Sequence, residues 1–221
     1  MKKTILITGT SSGLGLALAK HYSKNHNVIG LSRTNVEMPN YTHHICDISN
    51  FDNVSKTFYS IGDSKIDLLI NNAGVFDMDK FTQTSIHTID RVINTNLTGA
   101  MYVTRSALES MPDHSKIVFI NSVAGLEELE NQSIYCASKY GLTAFAGILG
   151  KELRDRHIKV SSIHPGGINT PLWDNTPYPL GDATNAMDPN SIIEIIDLIV
   201  NSKYDIDYKT VKMFPSIEWH N

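Results

Sequence analysis

Five short apolar runs punctuate the chain: Ile5-Leu6-Ile7, Val28-Ile29-Gly30-Leu31, Leu68-Leu69-Ile70, Ile117-Val118-Phe119-Ile120 and Val160-Ser161-Ser162-Ile163. Apolar and polar positions do not alternate within them, which suits strands covered on both faces. A weaker strand is expected over 43–47. Between the runs the apolar spacing becomes helical. Residues 14–24 set Leu14, Ala17, Leu18 and His21-Tyr22 at that spacing, and further helices are expected over 51–60, 86–94 and 101–111. The longest is expected over 133–156. There Ile134, Ala137, Gly141, Phe145 and Ile148 form a stripe of apolar or small residues, widened by Leu142, Leu149 and Leu153. A stripe this wide implies cover on more than one side, by a sheet or by a second subunit.

Strands alternating with helices in this way predict an α/β fold: a Rossmann-type, doubly wound, mostly parallel sheet with helices on both faces. Ligands in such sheets bind beyond the carboxyl ends of the strands. No internal repeat divides the chain, and 1–221 is expected to form one domain. The one long irregular stretch, 166–188, holds or borders Pro165, Pro171, Pro177, Pro179 and Pro189. Because it follows a strand's carboxyl end, it is expected to form a substrate lid over about 167–189.

Composition narrows the classes. Of 221 residues, 41% are hydrophobic and 19% charged, which excludes a wholly disordered chain. A net charge of -4 argues against a dedicated surface for nucleic acid or anionic membrane. Two cysteines, Cys46 and Cys136, are too few for a disulfide framework and read as buried free thiols in a reducing compartment. The first apolar run ends at Gly9, too short for a signal-peptide core, and no run approaches the roughly 20 residues of a membrane span. A soluble, cytoplasmic protein is expected. The nine histidines show no zinc spacing, so no metal is expected, and His164, beside Pro165, reads as structural.

The chemistry begins after the first run. Gly9, Thr10, Ser11, Ser12, Gly13, Leu14 and Gly15 form a glycine-rich turn that opens a helix. Backbone can approach a pyrophosphate closely there, and the helix start offers unpaired N–H groups to it. At the end of the second run, where a dinucleotide's ribose 2′ position is read, stand Ser32, Arg33 and Thr34 instead of an acid. A guanidinium pairs with a 2′-phosphate, so NADP(H) is preferred over NAD(H). Further on, Ser122 ends a strand, Tyr135 follows 13 positions later, and Lys139 lies four beyond Tyr135 on the same helix face. A neighbouring ammonium favours phenolate and tunes a tyrosine toward use as an acid/base, while a serine hydroxyl can hold a substrate oxygen where charge develops. Ser122 lacks the Gly-x-Ser-x-Gly elbow of a hydrolase nucleophile.

In these motifs the chain resembles the short-chain dehydrogenases/reductases of compact, single-domain type. Thr8 to Gly15 looks like that family's Thr-Gly-x-x-x-Gly-x-Gly turn, and Asn71-Asn72-Ala73-Gly74 like its Asn-Asn-Ala-Gly signature. The resemblance implies a seven-stranded sheet. It implies that Asp47 and Ile48 meet the adenine, that Asn72, Ala73 and Gly74 border the cofactor, and that Pro165, Gly166, Ile168 and Thr170 cup the nicotinamide. It implies a catalytic set of Asn96, Ser122, Tyr135 and Lys139. Ser122 polarises a substrate carbonyl, Tyr135 gives a proton to its oxygen, and Lys139 lowers the tyrosine pKa and binds ribose hydroxyls. Asn96 holds a relay water. It further implies a small carbonyl or alcohol substrate and a homodimer or homotetramer. Tyr208 to Asn221 carries no glycine-rich ending of the kind many members have. Phe76, Trp173 and Met187 are candidates for a substrate wall, although single apolar residues more often just pack, and Glu127, Glu128 and Glu130, near the expected pocket, read rather as a solvated acidic loop. A second reading is a catalytically silent NADP(H)-binding sensor or structural protein on the same fold. The intact set of four disfavours it, and an epimerase or dehydratase would need a separate substrate region.

Overall fold

The computed structural model of the chain describes residues 2–174, 186–203 and 206–216. Seven strands form one sheet: β1 (Thr4–Thr8), β2 (Asn27–Ser32), β3 (Tyr41–Ile45), β4 (Leu68–Asn71), β5 (Lys116–Ile120), β6 (Lys159–Pro165) and β7 (Thr210–Met213). Their order is β3-β2-β1-β4-β5-β6-β7, and every neighbouring pair is parallel. The order reverses after β1, so the sheet is doubly wound, as its alternation with helices predicts. The five apolar runs all lie in central strands, and Ile5, Leu6, Ile7, Leu69, Ile70, Ile117, Val118 and Phe119 are each fully buried. Burial of each such side chain contributes about 1.5–3 kcal/mol.

Among the described residues six α-helices form: α1 (Gly13–Tyr22), α2 (Phe51–Ile61), α3 (Ile86–Ile93), α4 (Gly99–Ala107), α5 (Ser133–Glu152) and α6 (Pro189–Asn201). One core joins the sheet to α2, α4 and α5 through Leu6, Leu69, Phe119, Val54, Val103 and Leu149. A second joins the other face to α1 and α6 through Ile5, Ile7, Val118, Leu18, Ile192 and Ile196.

The structure corrects several expectations. The third strand runs over Tyr41–Ile45 rather than 43–47. It is an edge strand with partly exposed residues, so its few apolar positions mark it poorly. The long helix stops at Glu152, and a 3-10 turn, Arg154–Arg156, follows before His157 takes a left-handed φ of 54°. Its buried face carries Tyr135, Cys136, Ser138, Lys139, Leu142, Ala146 and Leu149, whereas Ala137 and Ile148 of the expected stripe face outward. The stretch 166–188 contains a 3-10 turn, Pro171–Trp173, and its two ends are joined by a bridge between Ile168 and Met187. Residues 175–185 of the expected lid, with Pro177 and Pro179, lie outside the described residues, as do 217–221. Beyond the lid the pattern above names no element, yet α6 forms there, capped by the Asp188 side chain with Pro189 in the first turn.

Candidate active site

The site is built where β1, β2, β4, β5 and β6 end. β1 hands over at Thr8 to the turn that enters α1. Thr8 Oγ1 accepts hydrogen bonds from the backbone N–H groups of Asn72 (3.0 Å) and Ala73 (2.9 Å), and its carbonyl accepts one from Asn72 Nδ2 (2.9 Å). Asn72 and Ala73 therefore brace the turn from the neighbouring strand end. Ser12 caps α1 in extended conformation, but no side chain bonds the helix start, and its first turn holds no acid. Open N–H groups at the positive end of a helix dipole form an anion cradle, and this one fits a pyrophosphate.

Two glycines make the cradle possible. Gly13 has a φ of 51°, and a Cβ there would come within 3.3 Å of Thr170 Cβ, so the loop after β6 closes on the turn. A Cβ on Gly15 would lie 2.1 Å from the Gly9 carbonyl oxygen and 2.5 Å from Asn72 Nδ2. Backbone on one side leaves that methyl no room. Gly15→Ala is therefore expected to destabilise the fold by about 1–3 kcal/mol and to weaken dinucleotide binding by about tenfold or more. Thermal denaturation and titration calorimetry measure both, and an unaltered melting point with unaltered affinity would refute the close approach.

At the end of β2, Ser32 is buried and its hydroxyl donates to the Thr34 carbonyl (2.9 Å). Thr10 Oγ1 lies 3.4 Å from Ser32 Oγ and 2.7 Å from Tyr41 Oη, which in turn meets His43 Nδ1 at 2.9 Å. This chain of hydroxyls ties the glycine turn to the ends of β2 and β3. Sequence reasoning missed Tyr41, whose signal is weak: a polar aromatic that shares a strand face with His43. Arg33 and Thr34 are exposed, and Arg33 makes no hydrogen bond or ion pair among the described residues. Its guanidinium is thus open to an anion beside the turn. Asp47 accepts from the Ser49 N–H (3.0 Å) and hydroxyl (2.7 Å) through one oxygen, and Ile48 behind it is buried.

The catalytic candidates converge at the end of β5. Ser122 Oγ accepts from Ala124 N–H (3.1 Å) and lies near enough to the Tyr135 hydroxyl to pull its pKa down. Lys139, 4% exposed, lies with Nζ 5.6 Å from the centre of the Tyr135 ring and donates to the Ile120 carbonyl (3.3 Å). Asn96 sits in a π-helical turn, Asn94–Thr98, between α3 and α4. Its side chain accepts from Val75 N–H (2.8 Å) and donates to the Val75 carbonyl (2.9 Å) and to Ser138 Oγ (3.1 Å). The amide is thus occupied in tying the loop after β4 to α5. Asn121, not singled out from sequence, donates to Thr143 Oγ1 (2.9 Å) and accepts from Ser122 N–H (3.0 Å). The signal was available: an amide placed directly after an apolar strand run.

The electrostatics differ from expectation. Burial pushes the Tyr135 hydroxyl up to about 12, against a downward pull from the Ser122 hydrogen bond and a small upward push from Cys136. Burial likewise pulls Lys139 down to about 8. The phenol is therefore less acidic than a free tyrosine: its burial dominates, and Lys139 is not among the groups that shift it.

Beside Tyr135, Phe76 meets its ring edge-on at 4.9 Å, and Trp173 meets Phe76 at 4.8 Å. Trp173 Nε1 donates to the Ile168 carbonyl (3.0 Å), and Met78 and Leu129 join this cluster. Met187 instead packs into the core beneath α1 and α6. Glu127 pairs with Lys212 and Glu128 accepts from the Tyr140 hydroxyl, whereas Glu130, with Lys80, Phe81, Leu129, Asn131 and Ser133, lines a cavity of about 430 Å³. Pro165 closes β6, and Gly166 N–H donates to the Met213 carbonyl (2.8 Å). Among the described residues no group of three metal-ligating side chains converges, and no helix is long and apolar enough to cross a membrane.

A family model described as short chain dehydrogenase matches residues 3–178. The chain is 32% identical over 183 residues to a 3-oxoacyl-(acyl-carrier-protein) reductase of Rickettsia felis, covering 78% of this chain and 75% of that protein. It is 31% identical over 185 residues to carbonyl reductase family member 4 of Danio rerio, covering 78% of each. Among solved structures, the closed form of a serine dehydrogenase complexed with NADP+ aligns with a TM-score of 0.90 at 23% identity, over 98% of this chain and 96% of that one. An actinorhodin polyketide ketoreductase with NADPH aligns with a TM-score of 0.86 at 20% identity, over 99% and 98%. At such identities the structural likeness speaks for the fold.

Proposed function

The chain belongs to the short chain dehydrogenase family, and from that membership we propose that it reduces a small-molecule carbonyl to an alcohol, using NADPH in preference to NADH. The observation that carries the reading is the meeting of Ser122, Tyr135 and Lys139 at the carboxyl end of β5. Relatives named as carbonyl and 3-oxoacyl reductases support it, as do structural neighbours bound to NADP+ and NADPH.

The turn from Gly9 to Gly15 would hold the pyrophosphate, Arg33 with Ser32 and Thr34 the 2′-phosphate, and Asp47 with Ile48 the adenine. Gly74, Pro165, Gly166, Ile168 and Thr170 would border the nicotinamide, with Asn72 and Ala73 bracing the turn from below. When bound, the reduced dinucleotide supplies a hydride to the carbonyl carbon. Ser122 Oγ holds the carbonyl oxygen, and Tyr135 donates its proton to that oxygen as charge grows on it. The Lys139 ammonium stabilises the phenolate left behind. Asn96 fixes the loop after β4 against α5. A phenol held near 12 keeps its proton through the neutral range, so Tyr135 meets the substrate in its protonated, proton-donating form. Free, buried Cys46 and Cys136 accord with a reducing, cytoplasmic setting. The outward face of α5, with Ala137, Tyr140, Ala144 and Ile148, accords with assembly into a dimer or tetramer.

A panel of aldehydes and ketones, scored by NADPH and NADH oxidation, tests the reading. NADPH that binds but is consumed with no carbonyl would favour the silent sensor instead. In the same assay Arg33→Asp is expected to cut kcat/KM for NADPH by about 10- to 100-fold, the worth of a charge-assisted contact, while NADH is used no worse. An unaltered NADPH response would show that Arg33 does not read the phosphate.

A further inference from the structure

We propose that His164 is a positioning residue for Ser122: its buried imidazole, at the end of β6, grips the Ser122 carbonyl beyond β5 and so fixes the aim of the serine hydroxyl. The proposal rests on the reduction assigned above, in which Ser122 holds the substrate oxygen.

Ser122 lies beyond β5, in extended backbone. The last rung between the strand ends is the bond from Asn121 N–H to the Ile163 carbonyl (2.8 Å). One residue further, His164 Nδ1 lies 3.0 Å from the Ser122 carbonyl oxygen, so the ring replaces the next backbone rung. A carbonyl oxygen only accepts, so Nδ1 carries the hydrogen and the tautomer is fixed. His164 is 0% exposed, and burial lowers its pKa; the bond to the Ser122 carbonyl opposes this, while Lys139 and Lys212 add to it. The ring is therefore a neutral, single donor.

With this contact each polar group of Ser122 is held. Asn121 Oδ1 accepts from its N–H, His164 and the Gly125 N–H donate to its carbonyl, and the Ala124 N–H donates to its hydroxyl, beside the Tyr135 phenol. His164 is the member of this set that reaches across from β6, the strand that leads into Pro165 and Gly166. It thereby registers the serine against the segment proposed to border the nicotinamide. The other ring nitrogen is informative. Nε2 is buried and has no partner among the described residues. An unpaired buried nitrogen is costly, and leucine or methionine would fill a similar space without it. A position that served packing alone would favour those residues, so the Nδ1 donor is the property that this position requires.

Three variants separate donation from packing. His164→Leu and His164→Met remove the donor and the orphan nitrogen together, while His164→Asn keeps an N–H at the atom corresponding to Nδ1. The two donor-free variants are expected to lose roughly 10- to 100-fold in kcat, as sub-ångström misplacement of a reacting group does, with NADPH affinity unchanged. His164→Asn should recover most of the loss with the same pH profile as the unaltered protein. Amide hydrogen exchange across 120–125 should quicken in the Leu and Met variants and not in Asn. Full kcat with unaltered exchange in either folded donor-free variant would overturn the proposal, as would an Asn variant no better than Leu. Should the unaltered protein reduce no carbonyl, the assigned reaction falls. The exchange comparison would still decide whether His164 holds Ser122.

Discussion

Tyr135→Phe is expected to lower turnover by about 10³-fold, within the range that a positioned acid contributes, while NADPH affinity stays as it was. The hydroxyl is the proposed proton source, and among the described residues Ser122 Oγ is hydrogen-bonded to the Ala124 N–H and to no other titratable side chain. The ring itself should stay in place. Phe76 packs edge-on against it, and Ser122 Oγ retains its bond from the Ala124 N–H when the phenol is gone. Phenylalanine therefore removes chemistry without opening a cavity. Single-turnover NADPH oxidation alongside calorimetric NADPH binding provides the measurement. A variant that turned over at the original rate would eliminate Tyr135 as the acid, and one that lost NADPH binding equally would recast the residue as part of the cofactor site.

What the sequence made legible follows from how each feature is written into it. The central strands are buried on both faces, so their apolar runs mark β1, β2, β4, β5 and β6 to within about two residues. Edge strands announce themselves less well. In β3 only Tyr41 and Ile45 are apolar or aromatic among exposed partners, and β7 reads as Thr-Val-Lys-Met with alternating exposure. The period of α6 is present in Ile192, Ile193, Ile196, Ile199 and Val200, yet the pattern read above names no element there. Ser122, Tyr135 and Lys139 were legible because one helix face and one strand end are spacings along the chain. Contacts between distant segments were not. The Tyr41 bond to Thr10 and the His164 bond to Ser122 depend on strand pairing, which no local pattern encodes. The tyrosine pKa failed for the same reason. Spacing supplied the ammonium one turn away, while the burial that sets the pKa comes from Phe76 and the packing around it, far away in sequence.

That burial leads to the second large effect: Lys139→Met is expected to abolish most turnover and yet to stabilise the free protein. Lys139 is 4% exposed, donates to the Ile120 carbonyl, and has its pKa pulled by burial from 10.5 down to about 8. A lowered amine pKa means that the unfolded chain binds the proton more tightly than the folded one. Below pH 8 the folded state carries the full penalty, on the order of 3 kcal/mol. The penalty shrinks as pH rises from about 8 toward 10.5, and above that both states are neutral and it vanishes. Methionine keeps the apolar stem and never carries the charge. Allowing for the lost hydrogen bond, a gain of about 1–3 kcal/mol at neutral pH is expected, or a melting point higher by about 2–8 °C for a chain of this size. Turnover should fall about 10²- to 10³-fold, because the phenolate formed on proton transfer loses its cation. Melting curves from pH 7 to 10.5, paired with initial rates, test both halves. The gap between variant and unaltered protein must close as pH approaches 10.5. A variant that is less stable at pH 7, or one whose advantage persists unchanged in alkali, would show that the ammonium is not held against its own solvation. Position 139 would then not exchange stability for catalysis.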